Sequence, residues 1–369
     1  MKKIIQIEPW IGLDESNYIK KIVNKTFLTE AAETKKFENK ITKKFKSNYA
    51  LAVSNWTNGL YVALKAINIG RGDEVIVPNV TFIATVNSVI MAGATPVICE
   101  IDEKNLSLDI NHLKKIISKK TKAVIPVHLY GHCCNLDLLK RICSKKRIKI
   151  IEDAAQAIGA KYKKKYLGTI GEIGGFSFYG NKIITTGEGG VILTNSPKLK
   201  KKIYELKNHG RSKKGIFKHD SIGYNFMFTE MQAAIGNIQL NKLNKILSKK
   251  ETIFKLYKKE LSKIKDISFM APVKFNKPVH WFSNIFTKKK NGLKKYLNDK
   301  NIQTRDIFYP INFQPCYKKT NYLKITKKRY FISEKIFNNG ISLPSSYSLS
   351  KSQQKFIIKT IKDYFNQSK

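Results

Sequence analysis

The chain has 369 residues, 42% of them hydrophobic, with five cysteines and a formal net charge of +42. That length supports a sizeable core and favours two domains over one. No apolar run approaches the roughly 18 residues that span a bilayer, and the apolar part of segment 1–5 is too short for a signal peptide, so the expected location is the cytoplasm, with no membrane partner.

In chain order, short β-branched runs alternate with helical patterns through the first two thirds, which predicts an α/β domain with a mostly parallel sheet. Strands are expected at 74–77, 95–100, 123–127, 149–152, 175–179 and 190–194. Helices are expected at 57–67, 82–91, 111–117 and 136–144, where apolar residues recur every three or four positions, with Gly70 and Gly93 as stops. The lysine-rich stretches 161–165 and 213–218 read as exposed loops. From Thr229, a threonine cap followed by Glu230, a helical pattern through Met231, Ala234, Ile235, Ile238 and Leu243 runs to about 258 and would bridge two domains. Beyond it, strand-like 279–286 and 307–309 and helical 291–300, 330–337 and 352–364 make a smaller α+β domain. The expected division is a large domain over 1–245 and a small one over 246–369.

The positive charge suggests nucleic acid at first sight. Its distribution argues otherwise. Arginine is confined to Arg71, Arg141, Arg147, Arg211, Arg305 and Arg329, and the lysines are scattered in pairs such as Lys43-Lys44 and Lys249-Lys250 with no single stripe interleaved with aromatics. Base and phosphate recognition recruits arginine's bidentate fork. The expected reading is a solvated basic surface with no nucleic-acid partner, whose field would help collect anionic substrates. Cys99, Cys133, Cys134, Cys143 and Cys316 have no CxxC spacing, so neither a disulfide framework nor a metal site is expected.

One lysine stands apart by its setting. In Gly180-Asn181-Lys182-Ile183-Ile184-Thr185-Thr186-Gly187-Glu188-Gly189-Gly190, Lys182 occupies a short polar turn before a glycine-rich segment and after the aromatic run Phe176-Ser177-Phe178-Tyr179. A carboxylate lies upstream in Ile150-Ile151-Glu152-Asp153-Ala154-Ala155-Gln156. An amine presented this way can form a Schiff base. Ser54-Asn55-Trp56-Thr57-Asn58-Gly59 precedes a helical pattern and suits a phosphate held at a helix N-terminus.

These segments, with Gly93-Ala94-Thr95-Pro96-Val97, Val127-His128-Leu129-Tyr130-Gly131, Gly223-Tyr224-Asn225, Gln303-Thr304-Arg305 and Phe308-Tyr309-Pro310, resemble the pyridoxal-phosphate (PLP) sugar aminotransferases of the DegT/DnrJ/EryC1/StrS family along nearly the whole chain. The resemblance implies the fold-type-I, aspartate-aminotransferase-like architecture: a large PLP domain, a smaller C-terminal domain and a homodimer with shared active sites. It makes Lys182 the residue that binds the cofactor as an imine and moves the proton, and Asp153 the carboxylate against the pyridine nitrogen. It places Gln156 near the ring oxygen, Glu152 behind the site, Phe82 stacked on the ring, and Thr57, the amide of Asn58 and Ser177 on the phosphate, with Asn225 arriving from the partner subunit. His128 stays open between a structural and a substrate-facing role, and His132 reads as a loop residue. Arg305 stays open between a substrate contact and an inter-domain ion pair.

Three positions depart from the family pattern. Trp56 stands where glycine is usual and would crowd the phosphate loop or line the substrate entrance; Asn58 replaces alanine or a similar residue; Met227 replaces an arginine able to hold an acidic ligand. Within the family the chain is most similar to perosamine-synthase-like 4-aminotransferases, which act on GDP-4-keto-6-deoxymannose. The implied reaction moves an amino group from L-glutamate to a keto group of a nucleotide-linked deoxysugar destined for surface polysaccharide. The rivals are a UDP- or dTDP-sugar substrate, transfer at C3, a related dehydratase branch that carries histidine at the Lys182 position, and a non-catalytic basic nucleic-acid-binding or regulatory protein.

Overall fold

A computed structural model of the chain describes residues 3–213, 215 and 217–367. Segments 1–5 and 213–218 therefore lie partly outside the described residues, at Met1, Lys2, Lys214 and Ile216. The strands are β1 (Tyr49–Val53), β2 (Glu74–Pro78), β3 (Thr95–Cys99), β4 (Thr121–Val124), β5 (Lys149–Asp153), β6 (Lys161–Tyr162), β7 (Lys165–Tyr166), β8 (Ile173–Ser177), β9 (Gly190–Thr194), β10 (Asn276–Lys277), β11 (Ser283–Phe286), β12 (Arg305–Asp306) and β13 (Gly340–Leu343).

Seven of them form the main sheet in the order β1-β9-β8-β5-β4-β2-β3. The pairs β3/β2, β2/β4, β4/β5 and β5/β8 are parallel, while β9 runs antiparallel to both β8 and β1. Every residue of β2, β8 and β9 is buried, as expected for central strands covered on both faces by crossover helices. Strand β1 was not foreseen. Its sequence Tyr-Ala-Leu-Ala-Val carries two alanines, which are depleted in strands, and it forms because all five residues pair with β9. Helices Leu13–Val23 and Ala32–Phe45 also escaped the sequence reading: lysines dominate the second, yet Phe37, Ile41 and Phe45 recur every four residues and are fully buried.

The helix begun by Thr229 spans Glu230–Leu261. Thr229 and Gln232 close a reciprocal capping box, the Gln232 N–H donating to Thr229 Oγ1 at 3.2 Å and the Thr229 N–H to Gln232 Oε1 at 3.0 Å. Glu230 serves a different helix, accepting the N–H groups of Ala31, Glu33 and Thr34 at 2.7–2.9 Å. Residues 245 and 246 lie inside this continuous helix.

Beyond it, β11, β13 and β12 form a small sheet over a separate apolar cluster that includes Ile253, Tyr257, Leu293, Ile341 and Ile361. Ile4 joins that cluster, its N–H donating to the Asn301 carbonyl at 2.9 Å, so the first described residues run beside the C-terminal part of the chain. Two strand expectations are corrected here. Only Ser283–Phe286 of 279–286 pairs as a strand, because the backbone before it is pressed against Gly131, where an added Cβ would come within 2.2 Å of the Val279 carbonyl oxygen. Segment 307–309 is not a strand; the short ladder to β13 is made by Arg305–Asp306 just before it. No helix among the described residues is long and apolar enough to cross a membrane.

Candidate active site

The C-terminal ends of β1, β2, β5 and β8 meet at one side of the main sheet, where open parallel sheets present ligand crevices. There they border a cavity of about 640 Å³. Each strand end delivers one functional group: Thr57 follows β1, Phe82 follows β2, Asp153 ends β5 and Ser177 ends β8. Gln156, Lys182, Trp56, Asn58 and Arg305 line the same cavity, so most of the residues singled out in the sequence converge.

Asp153 forms part of the cavity wall and is buried. Its Oδ1 accepts the indole N–H of Trp56 at 2.8 Å and the Ala155 N–H at 3.1 Å, and its Oδ2 accepts the Thr85 hydroxyl at 2.7 Å. The Thr81 hydroxyl lies 3.0 Å from that of Thr85. Lys182 hangs from a turn closed by its own N–H to the Tyr179 carbonyl at 2.9 Å. Burial pushes the Lys182 amine down to about 8, and the negative charge of Asp153 opposes that shift. A lysine so placed carries a neutral, nucleophilic amine near physiological pH far more often than a surface lysine does.

The helix Trp56–Ala66 points its N-terminus at the cavity edge, and Asn55 caps it by accepting the Asn58 N–H at 2.9 Å. The Asn58 amide, expected to be free for phosphate, thus already has a partner; the hydroxyl of Thr57 has none among the described residues. The Gln156 carboxamide oxygen accepts the Tyr130 N–H at 3.0 Å, leaving its NH₂ as the donor available to a ligand. Phe82 is 54% exposed, which leaves a ring face open at the cavity, and its ring centroid is 5.9 Å from that of Phe308. A carboxylate, an amine, a helix start and an open aromatic face in one cavity fit the ring, aldehyde and phosphate of PLP.

Three residues fall elsewhere. His128 is fully buried and does not line the cavity: its Nε2 is 2.8 Å from Glu152 Oε2, which also accepts the Gly168 N–H at 2.9 Å, while Glu152 Oε1 accepts the N–H groups of Ile170 and Gly171. Burial raises the Glu152 carboxyl, but the His128 contact and these backbone donors outweigh it and hold it below its ordinary value. His128 is therefore placed to order the loop behind β5, outside the cavity lining. His132 is likewise buried. Asn225 is exposed and outside the cavity of its own chain, its backbone bridged to Asn208.

Trp56 lines the cavity but is almost wholly buried, its indole N–H directed to Asp153. Arg305 is exposed at the cavity and forms no ion pair among the described residues; its neighbour Asp306 meets Lys290 at 3.0 Å and Lys294 at 2.7 Å, a pairing within the C-terminal part of the chain.

The sequence reading missed Thr85, Tyr130 and Trp281. Thr85 lies three residues after Phe82 on the same helical turn, a spacing that could have flagged it. Tyr130 stands inside the Val127-His128-Leu129-Tyr130-Gly131 string, where nothing in the residue types singles it out. Trp281 gives no local signal; it reaches the site from 100 residues away, donating its indole N–H to the Asn181 carbonyl at 2.7 Å.

The profile of the DegT/DnrJ/EryC1/StrS aminotransferase family matches residues 9–362. GDP-perosamine synthase of Escherichia coli O157:H7 is 36% identical over 370 residues, covering 99% of this chain and 100% of that one. The dTDP-3-amino-3,6-dideoxy-alpha-D-galactopyranose transaminase of Aneurinibacillus thermoaerophilus is 34% identical over 337 residues, covering 90% of each. Among solved structures, S. venezuelae DesV in complex with a ketimine intermediate superposes with a TM-score of 0.90 at 29% identity, over 95% of this chain and 94% of that one. With its cavity built as described, the chain belongs to the DegT/DnrJ/EryC1/StrS aminotransferase family and is a PLP-dependent aminotransferase.

Proposed function

We propose that this enzyme moves an amino group from L-glutamate to the C4 keto group of a nucleotide-linked 4-keto-6-deoxysugar, converting GDP-4-keto-6-deoxymannose to GDP-perosamine for surface polysaccharide. The observation that carries the substrate choice is the full-length similarity to GDP-perosamine synthase. Bound PLP supplies an electron sink for exchange of the amino group between two carbonyl carbons. The rest falls to the protein. Lys182 anchors the cofactor and, once displaced, moves a proton at the substrate carbon, a task suited to an amine that titrates near 8. Asp153 would pair with the pyridine nitrogen, Gln156 would donate to the ring oxygen, and Phe82 would cover the ring. Thr57, Ser177 and the start of the helix Trp56–Ala66 hold the phosphate, and a phosphate at the Asn58 amide would displace the Asn55 cap.

Arg305, a cation at the cavity without a counter-charge among the described residues, is proposed to meet an anionic group of the substrate. Asn225, exposed and away from its own cavity, suits a phosphate contact in the neighbouring subunit of a homodimer. We assign the large PLP domain to 1–245 and the small domain to 246–369, and the enzyme to the cytoplasm. A dTDP- or UDP-linked keto-sugar aminated at C3 or C4 is the second reading, favoured by the 34% identity to the dTDP-sugar transaminase.

The experiment is a competition among GDP-, dTDP- and UDP-linked 4-keto-6-deoxysugars with L-glutamate as donor, read by mass spectrometry and NMR of the amino sugar. GDP-perosamine as the dominant product is expected. Preference for another nucleotide, or amination at C3, replaces the first reading by the second.

A further inference from the structure

Trp56 is the largest departure in the phosphate-loop segment, and its placement gives it a task. The side chain is 4% exposed, and its indole N–H meets Asp153 Oδ1 at 2.8 Å. Its ring is admitted by two glycines: a Cβ added at Gly175 would lie 2.3 Å from the ring, and one at Gly59 would lie 2.6 Å from it. Any side chain at either position would collide with the indole, so the seat for this ring is built from three separate parts of the chain.

An indole N–H donates and cannot accept. It therefore satisfies Oδ1 only as an acceptor, and a carboxyl proton has no place on that oxygen while the bond is made. The Ala155 N–H occupies the same oxygen. On the other side, Oδ2 has one donor among the described residues, the Thr85 hydroxyl, and keeps acceptor capacity.

We infer that Trp56 is a positioning residue for Asp153: its N–H fixes Oδ1 and holds the carboxylate turned so that Oδ2 is presented to a protonated ring nitrogen in the cavity. This rests on the proposed pairing of Asp153 with the pyridine nitrogen of PLP. The alternative is that the indole merely fills the volume between Gly59 and Gly175.

The test uses 4′-deoxypyridoxine 5′-phosphate, an analogue without the aldehyde, so Lys182 chemistry does not enter. Cofactor-free wild type, Trp56→Phe, Asp153→Asn and the double variant are titrated with it, and the absorbance of the bound analogue is followed against pH to report protonation of its nitrogen. Trp56→Phe, which keeps the ring and removes the N–H, is expected to bind about tenfold more weakly and to lose the nitrogen proton at lower pH than wild type. Added to Asp153→Asn it has little further effect, since the two residues act through one contact. Wild-type affinity and an unchanged titration in Trp56→Phe overturn the inference. If Asp153→Asn itself behaves as wild type, the Asp153 assignment fails, and the inference with it.

Should Trp56→Phe not fold, the indole ¹⁵N–¹H resonances of the chain's three tryptophans decide the matter. The Trp56 signal is expected to be slow to exchange and to move in Asp153→Asn; rapid exchange and no movement overturn the inference.

Discussion

Lys182 Nζ lies 4.2 Å from the centroid of the Trp281 ring, and the same indole donates its N–H to the carbonyl of Asn181, the residue before the lysine, at 2.7 Å. One tryptophan thus braces both the turn and the amine it carries. Its ring also stacks on Phe282, with centroids 3.8 Å apart. Trp281→Ala is expected to lower stability by about 3–5 kcal/mol, read by urea unfolding. Trp281→Phe is expected to keep most of that stability and lower kcat, because the hydrogen bond to Asn181 goes while an aromatic face stays. A Trp281→Phe enzyme with wild-type kcat would show that the brace on the lysine turn has no part in turnover.

The Lys182 amine, lowered by burial to about 8 from an ordinary 10.5, becomes neutral as pH rises through 8. Capture of PLP by the cofactor-free enzyme is accordingly expected to accelerate about tenfold per pH unit below 8 and to level off above it. Stopped-flow absorbance measures this directly, and borohydride reduction followed by peptide mapping should put the label on Lys182. A rate still climbing at pH 10 would mean an amine with an unperturbed titration.

His128 and Glu152 form a buried pair behind β5. His128→Leu removes one partner and leaves the carboxylate without it, a change expected to cost about 3–5 kcal/mol. The carboxyl of Glu152 is held below its ordinary value, so the stability it contributes is present above pH 4.5 and is lost as pH falls through the lower folded-state value. Unfolding curves at pH 7 and pH 4 should therefore differ less in the variant than in wild type, with KM unaltered. A raised KM with unchanged stability would return His128 to the substrate.

Lys250 is buried, and its Nζ donates to the carbonyls of Trp281 at 3.0 Å and Ser345 at 2.8 Å. Burial pushes it down to about 7. Between pH 7 and 10.5 the unfolded chain therefore holds a proton that the folded chain lacks, so stability rises with pH through that window, by up to about 1.4 kcal/mol per unit. Lys250→Met removes this contribution. Comparing urea midpoints at pH 7, 8 and 9 should show wild type gaining on the variant; parallel curves would refute it.

For Arg305→Ala, the expected effect is a rise of about 10- to 100-fold in KM for whichever substrate places its anionic group there, with PLP affinity unchanged. Steady-state kinetics with each substrate varied in turn identifies it. Equal KM values for both substrates would remove Arg305 from the binding site.

Much of the cavity lining was legible because its signal is local. Lys182 sits in a string whose glycines and threonines make a recognisable turn, and Asp153 ends a run of Ile-Ile-Glu that can only be a buried strand. The threonine cap at Thr229 was likewise readable, although its reciprocal partner Gln232 was not singled out. Strand β1 was not, because alanines carry little strand signal and its partner β9 lies some 140 residues on, Tyr49 facing Thr194. What Trp56 and His128 touch turned on partners at distant positions: Asp153, 97 residues from Trp56, and Glu152, 24 residues from His128.

The amino-acid sequence by itself determined the fold family and singled out the lysine and the carboxylate that the cavity brings together, since each stands in a string of residue types at short spacing that constrains the backbone directly. Only the tertiary structure decided what those groups touch. Thr85 and Trp56 divide the two oxygens of Asp153, and Trp281 braces the lysine turn, through hydrogen bonds between segments that are remote in the chain. Side-chain direction at such positions is set by the space that neighbouring elements leave, as the glycines at 59 and 175 leave room for one indole, and that space exists only once the sheet and its helices have packed.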